Sequence, residues 1–460
     1  MPQPGTVLSD SRSVSVAFTQ QLRRAGRLTA VVSLGAIAYA TLLPAPGSPN
    51  VASPTCLICG AYGGVDAVLN VLLFVPLGVG LAMAGMRRDR ALIAMCALSL
   101  LIETAQFFAI SGRDGTIGDL VTNSIGGALG FTLVRHASAW LKPSRHFSTK
   151  LILGWSVFWL ALQAVFSYAF LPSFPATRYY GQIARPLPEF AVFQGQVREA
   201  TIGSTLVPDF SLPNSNGVQQ ALQRGTTIRA VVVPAGPTSA PAPILRVADS
   251  QRREIIFLGQ NGEDMVFGAH SGAALLRLRP PLFSLPGAFP DNTKSNFGPE
   301  RVIGLSARYE GRGVLMSASR QHSTEERRIS LTPSLGWMVL LPFQWYANGT
   351  TGERLLTGIW IVLWILPIGY WGTFSNLYSD QEGKSRAGIA ALSGLALVCT
   401  GLVTIPMAFG VAAESPMDLL AAFAGLAAGV GVARVFRARD QELGSRSGPL
   451  SKLDHEVLIR

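Results

Sequence analysis

The chain has 460 residues, 48% of them hydrophobic and only 14% charged, with a mean hydropathy of +0.34. A chain this long and this apolar is excluded from the soluble globular class and reads as an integral membrane protein. The formal net charge of +11 does not point to nucleic acid, because the basic residues recur in alternate connections between apolar runs, where membrane topology places them.

In chain order, residues 1–27 form a polar, basic tail, and runs near 28–43, 67–86, 91–110, 117–134 and 151–171 are each long enough to cross a bilayer. Three more lie near 355–374, 387–411 and 417–436, and 438–460 is a second tail. Arg12 to Arg27, then Arg87, Arg88 and Arg90, then Arg135, Lys142, Arg145 and Lys150, then Lys384 and Arg386, then Arg434, Arg437 and Arg439 mark one side as cytoplasmic. The other connections carry Asp66, the pair Arg113 and Asp114, and Glu414. The expectation is an α-helical polytopic protein of about eight spans, with both termini cytoplasmic and 172–353 outside. Its parts are 1–27, a helical bundle with a fifth span at 28–171, an outside domain at 172–350, three spans within 351–437, and the tail 438–460. Arg23, Arg24 and Arg27 before the first run, with Ala38-Tyr39-Ala40 at its end, also fit a signal peptide, whose removal would leave the other spans unchanged.

Between 172 and 350 no membrane-length run occurs, and short β-rich runs alternate with Gly, Pro, Asn and Asp. Ile228–Val233, Ile244–Val247, Glu254–Leu258, Asp264–Phe267, Leu275–Arg279, Val302–Tyr309 and Val314–Ser317 read as strands. Asn261-Gly262 and Glu310–Gly313 sit between pairs of these runs as hairpin turns. Leu276, Arg277, Leu278 and Arg279 alternate as on a half-buried sheet. These features predict an inserted all-β sandwich of jelly-roll type. Leu331–Tyr346, with Trp337, Trp345 and Tyr346, either closes the sandwich or rests at the membrane interface, different residues taking each role. Cys56 and Cys59 form a C-x-x-C in the first outside connection, where an oxidising compartment permits a disulfide. No thioredoxin-like pattern surrounds them, and two cysteines are too few for a structural zinc site.

The chemistry concentrates in the first bundle. Asp66 and Asn70 are four apart and share a helix face, as do Glu103 and Gln106, three apart, and Asp119 and Asn123, four apart. Pro76 falls within the second run and removes a helix donor there. Gly126 and Gly130 make a G-x-x-x-G that admits a neighbouring backbone. Arg113 arrives on the short loop 111–116. Ionisable groups in hydrocarbon cost roughly 2.5–3.5 kcal/mol each, so several at one depth need a shared reason. One reason is mutual hydrogen bonding that locks the bundle, with Arg113 paired to Asp119 or Glu103; the other is an acidic polar pocket that opens outward.

The order Asp66, N-x-x-x-F-V-P-L-G from Asn70, E-x-x-Q from Glu103, and G-R-D-G-T-x-x-D-x-x-x-N-x-x-G-x-x-x-G from Gly112 resembles the VanZ-like membrane proteins, a family named for a teicoplanin-resistance accessory protein. The resemblance covers about 28–140 and implies a bacterial helical bundle in the inner membrane, acting at the cell envelope. By size and strand spacing the outside insert is similar to laminin-G or concanavalin A-like sandwiches, which implies carbohydrate binding.

The resulting expectation assigns ligand binding to Asp66, Asn70, Gln106, Asp119 and Asn123. In the lead reading, outside domain and pocket together bind envelope carbohydrate or a lipid-linked glycan, with membrane lipid as the other partner. In the alternative, a membrane-embedded enzyme acts on an envelope glycolipid, Glu103 serving as general acid or base and Arg113 steadying negative charge. A transporter ranks behind these, because no matching polar set occurs at the inner end. No cofactor is expected. His136, His146, His270, His322 and His455 show no metal-ligand spacing, and Asp264 beside Gly262 and Glu263 reads as a turn ahead of a calcium site.

Overall fold

The computed structural model describes residues 6–44, 53–289, 302–310, 312–321, 323–375 and 384–446. The first block comprises α1 (Thr6–Leu42), α2 (Gly63–Met83), α3 (Arg88–Ala109), α4 (Ile117–Arg135), the short α5 (Ala137–Leu141) and α6 (Arg145–Phe170). After the β domain come α9 (Thr351–Gly372), α10 (Lys384–Cys399), a π-helical turn at Thr400–Thr404, α11 (Ile405–Phe409) and α12 (Pro416–Arg446), where α7 (Ser215–Gln223) and α8 (Gly272–Leu275) belong to the β domain itself. Among the described residues eight helices are long and apolar enough to cross a membrane, matching the eight runs in the sequence. The chain is a multi-pass membrane protein.

α1 begins at Thr6 and so takes in most of the 1–27 segment that reads as a tail; no Pro or Gly occurs between Thr6 and Ala25 to stop it. α12 likewise runs past 437 to Arg446. Residues 1–5 and 447–460 of the two tails lie outside the described residues. α2 remains one helix through Pro76.

The β domain comprises β1 (Tyr179–Ile183), β2 (Gly195–Ile202), β3 (Thr205–Leu206), β4 (Ile228–Pro234), β5 (Ala242–Asp249), β6 (Glu254–Asn261), β7 (Asp264–Ala269), β8 (Leu282–Leu285), β9 (Ile303–Glu310), β10 (Gly313–Arg320), β11 (Ser323–Ser330) and β12 (Tyr346–Ala347). One sheet has the order β1-β5-β6-β7-β8-β12, the other β11-β10-β9-β4-β2-β3. All pairings are antiparallel except β12 with β8. Inward residues of both, such as Val247 and Phe267 on one and Val232, Leu305 and Met316 on the other, share a single core, which makes a sandwich. The two predicted hairpins form at Asn261↔Asp264 and at Glu310↔Gly313.

The two sheets differ in how they are covered. β9 alternates buried and half-buried positions, as a one-sided strand does. In β6, by contrast, Ile255, Ile256, Phe257 and Leu258 are all buried, and the outer face is covered in part by Phe190, whose ring stacks on Phe257 at 5.4 Å. The sandwich core also includes Val65 at the start of α2 and Phe166 and Phe170 at the end of α6, so the domain stands directly on those two helix ends.

One predicted strand is absent. Leu275–Arg279 leaves α8 through a turn in which Arg277 has φ 54°, and Leu275 is 55% exposed. The alternation has a tertiary cause: Arg277 donates to Ile58 O in the first connection, and Arg279 to Leu341 O (2.8 Å) and Pro342 O (2.6 Å). The segment 331–346 closes the sandwich, as one of its two expected roles requires, and joins it to α9. A 3-10 helix at Pro333–Leu340 packs into the core, Trp337 donates to Thr357 Oγ1 of α9, and β12 extends the first sheet. β2 and β11 escape the sequence pattern because they lie toward the edges of the second sheet and carry mostly polar side chains, so backbone pairing rather than burial holds them.

Candidate functional site

The site is assembled where α2 and α4 begin and α3 ends, directly beneath the β domain. Gly64 N donates to Arg277 O at 3.0 Å, which fixes the start of α2 against the α8 turn. α2 and α4 then cross with their backbones in contact: a Cβ on Gly126 would stand 2.2 Å from Val71 O, and one on Gly130 2.0 Å from Val75 O. The G-x-x-x-G therefore sets how closely Asn70 approaches α4.

Asn70 Nδ2 donates to Asp119 Oδ1 at 2.6 Å. Thr116 caps α4, its Oγ1 accepting from Asp119 N at 3.1 Å and donating to Asp119 Oδ2 at 2.9 Å. Thr116 N donates in turn to Glu103 Oε2 at 2.9 Å. Asn123 Nδ2 lies 3.5 Å from Glu103 Oε1 and donates to Ser99 Oγ at 3.1 Å. One network thus runs from α2 through α4 to α3. Two of its members, Thr116 and Ser99, were not among the sequence candidates. Thr116 is legible in retrospect, because a Thr three residues before an Asp at the head of an apolar run is a helix-capping pattern. Ser99 is four residues before Glu103, on the same helix face, with nothing else to mark it.

Two candidates go elsewhere. Gln106 Nε2 donates to Thr41 O at 2.9 Å, and Arg113 donates through Nη2 to Ala40 O at 2.8 Å and through Nε to Leu43 O at 3.2 Å. Both satisfy carbonyls at the end of α1, which have no partner of their own in the helix. Arg113 forms no ion pair with Glu103 or Asp119 among the described residues.

Against the first connection the network leaves a cavity of about 40 Å³, lined by Asp66, Asp119, Thr116 and Thr122, with Leu57 and Cys59 as its wall. Cys56 and Cys59 are joined as a disulfide. Pro54 O and Cys56 O accept from Ile117 N (2.9 Å) and Gly118 N (3.1 Å), so this loop satisfies the first two donors of α4. Glu103 is not a lining residue; it is buried behind Thr116 with both oxygens engaged. Asp66 is exposed, and its carboxylate accepts no hydrogen bond and makes no ion pair among the described residues. With two carboxylates and two hydroxyls the cavity presents acceptors, so it suits an ammonium or the hydroxyls of a head group and disfavours a phosphate. Among the described residues no group of three or more His, Cys, Asp or Glu could hold a metal.

Fold and site together define a multi-pass membrane protein with a β sandwich set over a polar cavity at one end of its first bundle. The family model described as VanZ/LLP1 matches residues 10–140, the segment that contains every residue of the network and of the cavity. No curated protein and no solved structure matches the chain.

Proposed function

We propose that this VanZ-like protein works at the bacterial cell envelope by binding the head group of an envelope lipid or lipid-linked glycan in the Asp66–Asp119 cavity, with the sandwich engaging the carbohydrate beyond it. The observation that carries this reading is the unpaired Asp66 carboxylate in a cavity whose other carboxylate, Asp119, is held still by Asn70 and Thr116. An ionisable group left without a partner at the edge of a bilayer is a ligand site in waiting. Orientation in the inner membrane, with both termini cytoplasmic and the sandwich outside, accords with the placement of Arg87, Arg135 and Arg145 at the helix ends opposite those that meet the β domain. A disulfide on the sandwich side accords with it as well.

The test is mass spectrometry of lipids and glycans retained by the full chain in mild detergent. Wild type is expected to retain a species with an amine-bearing or polyhydroxyl head that Asp66→Asn loses while melting at the same temperature. Equal retention by both would overturn the assignment.

A further inference from the structure

A second buried polar cluster lies outside this site, between the C-terminal helices and the sandwich. Leu402 O lies in the π-helical turn just ahead of Pro406, a residue with no N–H to donate. Glu414 N donates to that carbonyl, at 2.9 Å. The Glu414 side chain, 6% exposed, then reaches the 3-10 helix, where Oε1 accepts from Ser334 N at 2.8 Å, and Ala412 N donates to Leu331 O at 2.8 Å beside it. Glu414 Oε2 and Ser334 Oγ are both buried without a well-formed hydrogen bond among the described residues.

Among the described residues no cation pairs with this carboxyl. The groups that face it are Asp418 from the first turn of α12 and Thr332 and Ser334 from the sandwich side. α6 packs on the same seam through Trp159 against Gly401 and Phe166 against Gly336, both apolar. The π-helical turn contributes no titratable side chain. An ionised Oε2 would face the Asp418 carboxylate with no cation among the described residues to offset it, whereas a protonated one can give its proton to Ser334 Oγ.

We propose that Glu414 is a proton-binding site whose bound proton, shared with Ser334, fastens the α11–α12 loop to the base of the sandwich. Burial pushes the Glu414 carboxyl up to about 8, Asp418 adds to the rise, and the Ser334 and Thr332 donors offset part of it. A carboxyl raised above its ordinary 4.5 contributes stability that is complete below that value and is lost as pH rises through about 8. The loop is then expected to detach at alkaline pH, independently of any ligand in the Asp66 cavity.

The full chain in detergent is examined by infrared spectroscopy and thermal melting. Wild type is expected to show a protonated-carboxyl band at neutral pH that disappears in Glu414→Gln, and a melting temperature that falls through mildly alkaline pH where Glu414→Gln stays flat. Asp418→Asn is expected to move the wild-type midpoint to lower pH, and it provides the test should Glu414→Gln not fold. A band unaffected by Glu414→Gln, an identical alkaline fall in both proteins, or an unmoved midpoint in Asp418→Asn would each overturn the proposal.

Discussion

Gly126→Ala tests the packing on which the cavity depends. The added methyl would stand 2.2 Å from Val71 O and 2.9 Å from Val71 Cα, where ordinary contact begins at 3.4 Å, so α2 and α4 must part locally by about 1.2 Å. A methyl has no rotamer in which to escape, and the obstacle is backbone. Overpacking of this kind costs about 1–3 kcal/mol. Val71 is the neighbour of Asn70, so the same displacement stretches the 2.6 Å bond from Asn70 to Asp119. Because that bond involves a charged acceptor, worth about 1.5–3 kcal/mol, the combined loss is expected to reach about 3 kcal/mol. Gly154→Ala in α6 is the control, since a Cβ there meets nothing within 4 Å. It should melt within about 0.5 kcal/mol of wild type. Thermal melting of the three proteins in one detergent decides the matter: if Gly126→Ala melts with Gly154→Ala, the close approach does not hold the bundle and the reasoning fails.

Asn70→Ala removes the side chain that holds Asp119 in place and should cost about 1.5–3 kcal/mol, with weaker retention of any bound lipid. Unchanged melting and retention would show that Thr116 alone positions Asp119. Replacing Cys56 and Cys59 by Ser opens a four-residue ring and loosens the carbonyls that cap Ile117 and Gly118. The chain-entropy estimate for so short a loop is about 2 kcal/mol. Faster proteolysis within residues 53–62 should accompany the loss, and equal melting with equal cleavage would count against a clamping role for this loop.

Much of the architecture was legible because it obeys local rules. Eight apolar runs became eight membrane-length helices, and hairpins formed at Asn261-Gly262 and Glu310–Gly313 because turn residues there separate runs of strand-forming side chains. Asp66, Asn70, Asp119, Glu103 and Asn123 came together because each pair is spaced to share a helix face and all lie near the same ends of successive helices.

Other assignments depended on partners distant in the chain. Arg113 has acidic residues nearby in sequence, yet it spends its donors on the end of α1, about 70 residues back, where the last carbonyls have no partner within the helix. Leu275–Arg279 alternates like a strand, but its arginines answer to carbonyls of two other segments, and the backbone turns to deliver them. In the sequence Glu414 is an ordinary residue of a connection; in the fold Leu402 O and the 3-10 helix enclose it. The amino-acid sequence by itself determined the spans, the basic ends and the helix faces, because hydropathy and periodicity are properties of a few consecutive turns. Which polar group meets which carbonyl, and which carboxylates line the cavity, was decided only by the tertiary structure, since hydrogen bonding in a bundle is settled by the helix end that arrives unsatisfied from elsewhere in the chain.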